Sequence, residues 1–168
     1  MRDEMLEKYV RLYRKTVFGT AMCFVKNPCD ADDIAQEVFL KLYTHEGSFD
    51  SDEHVRAWLI RCAVNLCKSL LRSYRYRFSV PLEAAENAAY PDSTDSTALT
   101  ELLQTLSKRN RAAVYLHYYA GYSAAETAQI LGISESAVMA RLSRGRKQLR
   151  AVLQEERNEN NDGFQKLI

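Results

Sequence analysis

Ser136, Ser143, Arg144 and Lys147 carry hydrogen-bond donors at spacings that place them on one side of a helix. Hydroxyls and cationic groups on a single face can donate to base edges and phosphates. A guanidinium can grip guanine O6 and N7 together, which makes Arg144 the best single base reader. Projected at about 100° per residue, Ala140 joins this face. Val138, Leu142, Gly145 and Leu149 fall opposite, on the side that must meet a core. Arg141 and Arg146 lie on the flanks, where phosphates or acidic neighbours would meet them. A second set occurs earlier: Arg61, Asn65, Lys68, Arg72 and Arg75 step by 4, 3, 4 and 3. That row suits a nucleic-acid backbone, with Asn65 able to touch a base. Phe49 and Trp58 beside it could stack on unpaired bases; Trp58 is equally suited to a core. Bond-breaking chemistry has no comparable support. His45, His54 and His117 are scattered, and no nucleophile–base pair links them. Cys23, Cys29, Cys62 and Cys67 are spaced poorly for zinc and read as small apolar residues in or near a core. No catalytic residue, metal or cofactor is expected.

These side chains need helices to present them. Ser123-Ala-Ala-Glu126 is a capping box, a hydroxyl followed three residues later by a carboxylate. Its helix should end at Leu131-Gly132, where glycine can take the left-handed conformation. Ser134 caps a second helix, expected to run to about Leu153. Helix, glycine turn and capped basic helix make a helix-turn-helix. Upstream, Leu59, Cys62, Ala63, Leu66, Cys67, Leu70 and Leu71 form the buried stripe of the earlier basic helix. Between the two regions, 78–97 contains Pro81, Pro91 and a polar run, which is linker chemistry. Helical spacing resumes with Leu99, Leu102, Leu103 and Leu106.

The formal net charge is only +1, but its distribution is uneven. Residues 56–77 carry six bases and no acid, 78–106 five acids and no base, and 107–153 eight bases and two acids. Two cationic blocks therefore flank an anionic spacer. With few Gly and Pro, the expected fold is all-α: two small helical domains joined by a flexible acidic linker, the second a winged-helix-like four-helix domain. The expected boundaries are 1–77, 78–97, 98–156 and a disordered tail 157–168. No apolar run is long enough to span a membrane. The first residues lack the pattern of a signal peptide, so a cytoplasmic location is expected. Asp30–Tyr43 reads as a helix with acids in its first turn. Ile34, Val38 and Leu42 form one stripe, and Phe39, Leu40 and Tyr43 point elsewhere, toward either a partner protein or the rest of the domain.

Together the blocks 27–39, 49–65, 121–134 and 138–147 resemble the extracytoplasmic-function (ECF) group of bacterial sigma factors. The resemblance covers most of the chain, from about Tyr9 to Tyr76 and from about Leu102 to Leu153. It implies a first domain that binds the clamp helices of the RNA polymerase largest subunit through Asp30, Asp33, Gln36, Glu37 and Leu40. The same domain would capture a minus-ten base with Phe49, Asp50, Ser51, Trp58, Arg61, Asn65, Lys68 and Arg72. The second domain would touch the polymerase flap. It would read the minus-thirty-five duplex with Ser123, Ser134, Ser136, Met139, Ala140, Arg141, Ser143, Arg144 and Lys147. An anti-sigma partner is expected on the same ground. Met139 and Ala140 stand where the family commonly has basic and hydroxylic residues, so specificity should lean on Arg144, Ser143 and Ser136. The competing reading is a helix-turn-helix regulator that binds duplex DNA without polymerase. It would need a ligand pocket or phosphoacceptor domain in 1–76, and that segment lacks the strand–helix alternation of a receiver fold.

Overall fold

Asn27-Pro28 starts the second helix of the N-terminal unit. The Asn27 side chain accepts from the Cys29 N–H at 2.9 Å, and proline is favoured at a first helical position because its missing N–H is not needed there. The computed structural model describes residues 2–25, 27–77 and 101–165. The linker 78–97, Leu99 and the side chains of Arg75 and Arg77 lie outside the described residues. The described chain forms two compact units, and its regular structure is helical throughout.

The N-terminal unit comprises α1 (Arg2–Phe24), α2 (Pro28–Thr44) and α3 (Asp52–Arg77), which pack on one another. Val17 and Ala21 of α1 meet Ile34, Ala35, Val38 and Leu42 of α2 and the buried side of α3 in one core. That side of α3 is displaced from the expected stripe. Ile60 and Val64 are fully buried beside Val55, Leu59, Ala63 and Cys67, whereas Cys62, Leu66, Leu70 and Leu71 are half-buried at its edge. Two neighbouring helices contact α3, so its apolar face is wider than one seam. The three residues placed off the main stripe of α2 divide: Phe39 is buried, whereas Leu40 is 64% exposed and Tyr43 40%.

The described part of the C-terminal unit opens with helical residues 101–104, followed by α4 (Lys108–Val114), α5 (Ala124–Leu131) and α6 (Glu135–Gln165). Ser107 caps α4, its side chain accepting from the Asn110 N–H. Arg111 is 3% exposed and bridges elements: Nε donates to the Leu103 carbonyl at 2.9 Å and Nη2 to that of Leu106 at 3.0 Å. A buried guanidinium thus adds donors at a helix end, where the Leu103 carbonyl also accepts from the Leu106 N–H at 3.1 Å. After Val114 the helix widens into a π turn, Tyr115–Tyr119, which side-chain periodicity does not announce. α6 packs on α4 and continues to Gln165, beyond the expected end near Glu156, so 157–165 are helical where a disordered tail was expected. The segment Leu153–Glu159 is exposed. It is rich in Gln, Glu and Arg, which are good helix formers, and contains no proline.

Candidate nucleic-acid interfaces

The C-terminal interface is built by two caps and a turn. The Ser123 N–H donates to Glu126 Oε2 at 2.8 Å, and the Glu126 N–H donates to Ser123 Oγ at 3.1 Å. This is the reciprocal capping box read from the sequence. At the other end of α5, Gly132 has φ +68°, and the Ile133 N–H reaches the Ala128 carbonyl at 3.1 Å. That is a Schellman closure, which favours glycine because other residues strain at positive φ. Ser134 Oγ then accepts from the Ala137 N–H at 3.1 Å and contacts Ser136 Oγ at 3.2 Å. The hydroxyls of Ser123 and Ser134 are therefore engaged as cap acceptors.

Along α6, Val138, Leu142 and Gly145 are buried, while Ser136, Met139, Ser143, Arg144 and Lys147 are exposed and Ala140 is intermediate. Arg146 is held on the flank, its guanidinium donating to the Tyr118 hydroxyl at 2.6 Å. Arg141 is half-buried. Partial burial lowers its pKa, and the positive charges of Arg109 and Arg144 lower it further. Arg109, exposed on α4, thus belongs to the same cationic patch. A helical projection of α6 alone could not find it, because it arrives from another element.

On the N-terminal unit, Arg61, Asn65, Lys68 and Arg72 are all exposed along α3. The loop before α3 is gathered by rings. Phe49 and Trp58 lie 5.6 Å apart between centroids, nearly edge to face. Both are half-buried, so Trp58 is neither a full core residue nor a free one. Asp50 and Ser51 are exposed, and Ser51 Oγ caps α3 by accepting from the His54 N–H at 3.1 Å.

Asp52, absent from the expected site, fixes the junction between loop and helix. Its carboxylate accepts from Lys8 Nζ and from the Tyr9 hydroxyl, each at 2.8 Å, and its carbonyl accepts from the Tyr13 hydroxyl at 3.3 Å. The hydrogen bonds from Lys8 and Tyr9 hold its carboxyl below the usual carboxylate range. A lone Asp opening a helix gives no sign of partners 43 and 44 residues away. On α2, Asp33, Gln36, Glu37 and Leu40 are exposed, while Asp30 is half-buried. Glu37 pairs with Lys41 at 3.8 Å. Asp32 accepts from Gln36 and from Arg14, which ties α2 to α1.

The resemblance read from the sequence has independent support. Residues 9–77 match the family described as Sigma-70 region 2, and residues 96–149 match Sigma-70 region 4. The ECF RNA polymerase sigma factor SigM of Mycobacterium tuberculosis is 36% identical over 126 residues, which span 74% of this chain but only 64% of that protein. SigL of the same organism, also an ECF RNA polymerase sigma factor, is 32% identical over 143 residues, 80% of this chain and 81% of SigL. Among solved structures, the sigma factor RpoE of Bartonella quintana, in complex with the anti-sigma factor NepR, superimposes with a TM-score of 0.73. It is 24% identical and covers 92% of this chain and 98% of its own. The two helical units are thus a region 2 and a region 4 in the family's order, and the chain belongs to the ECF sigma factors.

Proposed function

We propose that this chain is the promoter-specificity subunit of a bacterial RNA polymerase. The exposed face of α2, with Asp33, Gln36, Glu37 and Leu40 and the neighbouring Asp30, would bind the clamp helices of the largest subunit. The Phe49–Glu53 loop, Trp58 and the α3 row Arg61, Asn65, Lys68 and Arg72 would take an unpaired base of the minus-ten element. In the other unit, α6 would enter the major groove of the minus-thirty-five element. Arg144 would read a base there, Ser136, Ser143 and Lys147 would contact bases and phosphates, and Met139 would meet a thymine methyl. That unit would also touch the polymerase flap. Bond formation stays with the polymerase, and this chain's work is recognition and strand separation in the cytoplasm. By analogy with the RpoE–NepR complex, an anti-sigma protein would hold it inactive.

One observation carries the reading: the solvent side of α3 is cationic and stands beside a half-buried aromatic pair. A duplex-only regulator has no use for that combination, whereas strand opening needs it. Extruding a base costs a few kcal/mol, and stacking on aromatic side chains returns about 1–3 kcal/mol per base. The test is runoff transcription by core polymerase plus this chain on a fragmented genomic library. Discrete start sites that require the chain support the reading. Tight, specific duplex binding without core, and no transcripts with it, would favour the regulator.

A further inference from the structure

The loop joining α2 to α3 has little to hold it in shape. Residues 45–50 are outside the helices, and Glu46, Gly47, Ser48, Asp50 and Ser51 are exposed. Its far end is anchored by the Ser51 cap and by Asp52. Its near end is anchored by a residue the functional reading has not used. His45 closes α2, its N–H donating to the Leu42 carbonyl, and its ring folds back over the loop. The imidazole stacks on Phe49 at 4.8 Å with a 29° interplanar angle, and lies 5.0 Å from Trp58 at 54°. His54 meets Phe49 edge-on at 5.4 Å. Phe49 therefore sits among three rings at separations typical of favourable aromatic pairs.

Gly47 makes room for this arrangement. A Cβ there would lie 2.5 Å from His45 Nε2 and 3.2 Å from Cε1. The atoms in its way belong to the histidine ring and not to the backbone. A side chain at 47 would thus push the imidazole off the stack while leaving the chain path intact.

We propose that His45 is a positioning residue for base capture: its imidazole, admitted by Gly47, fixes Phe49 and Trp58 in the attitude in which they receive an unpaired base. The inference rests on the function proposed above and adds to it the group that orders the loop before DNA arrives. Preorganisation matters because a loop ordered only on binding subtracts its ordering entropy from the affinity.

Trp58 is the sole tryptophan of the chain, so its emission reports on the cluster. The experiment compares full-length wild type, His45→Ala, His45→Phe and Gly47→Ala. One measurement is Trp58 emission of the free chain. The other is open-complex formation with core polymerase on a duplex promoter recovered from the genomic-library assay. His45→Ala and Gly47→Ala are expected to alter Trp58 emission and to slow opening about tenfold, within the range that stacking contributes. His45→Phe restores a flat ring and should open within about twofold of wild type. If His45→Ala opens like wild type, or His45→Phe is as defective as His45→Ala, the inference is overturned and the proposed function stands. If wild type itself fails to direct core polymerase, both are overturned.

Discussion

Replacing Gly145 by alanine sets two physical effects against each other. In an exposed helix interior, Gly→Ala stabilises by about 1 kcal/mol through propensity. Gly145 is buried in α6, and an added Cβ would stand 2.6 Å from Val114 Cγ2 and 3.8 Å from Asn110 Cβ. Valine is stiff at χ1 inside a helix, so Cγ2 cannot swing aside cheaply and α4 must back away from α6. Overpacking of this kind costs roughly 1–3 kcal/mol, leaving a net destabilisation of about 0–2 kcal/mol after the propensity gain. Displacing α4 also strains the Asn110 Nδ2 to Gln148 Oε1 hydrogen bond, 3.3 Å long. A double-mutant cycle isolates the clash. Val114→Ala removes both γ-methyls, the opposing Cγ2 among them, and by itself costs about 1.6 kcal/mol at ~0.8 kcal/mol per buried carbon. With that methyl gone, Gly145→Ala should become neutral or stabilising, a coupling of about 1–3 kcal/mol. Native-state hydrogen exchange of α4 and α6 amides is the assay, since it follows this unit separately from the other. Slower exchange in the Gly145→Ala single variant, or additive effects in the cycle, would refute the reasoning.

Arg144→Ala should lower affinity for a minus-thirty-five duplex by about 1–3 kcal/mol and flatten its sequence preference; unchanged preference in competition binding would count against Arg144 as base reader. Arg111→Met removes the guanidinium donors to the Leu103 and Leu106 carbonyls and should cost roughly 1–3 kcal/mol in urea unfolding, with a wild-type midpoint as the contrary result. Burial pushes the Cys67 thiol up to about 12 from the ordinary 9.0. The folded chain therefore keeps its proton while the unfolded chain loses it, so stability should fall as pH rises from 9 toward 12. Iodoacetamide should label exposed Cys29 readily and spare Cys67 until the chain unfolds. Asp52 has the opposite sign: its lowered pKa contributes stability above the usual carboxylate range, which is lost as pH falls through the folded value. Asp52→Asn should remove that acid-side dependence from the exchange of α3 first-turn amides, and an unchanged profile would show the Lys8 contact to be idle.

Local grammar made the C-terminal unit legible in the sequence. A capping box, a glycine turn and a second serine cap are each set by residues within four positions, and they form as written. The outward faces of α3 and α6 followed from helical period alone. Long-range pairings were not legible. Asp52 reaches Lys8 and Tyr9 across the fold, Arg109 joins the α6 patch from α4, and Phe39 turned inward because three helices leave room for a wide core. The π turn 115–119 and the extension of α6 past Glu156 carry no short-range signal that separates them from an ordinary helix and a frayed end.

The placement of charges bears on how a nearly neutral chain would grip DNA with the two proposed surfaces. Three of its acids pair at the surface of the N-terminal unit: Asp52 with Lys8, Asp32 with Arg14 and Glu37 with Lys41. Among the described residues, no ion pair engages Arg61, Arg72, Arg144 or Lys147. All four are exposed, and a phosphate that meets such a charge displaces water and counterions. A surface pair would return only about 0–1 kcal/mol to folding, so leaving these cations unpaired costs the fold little. Each phosphate contact they make, by contrast, releases counterions and steepens the salt dependence of binding. Net charge is thus the wrong quantity to inspect in this chain; what matters is where the exposed cations stand.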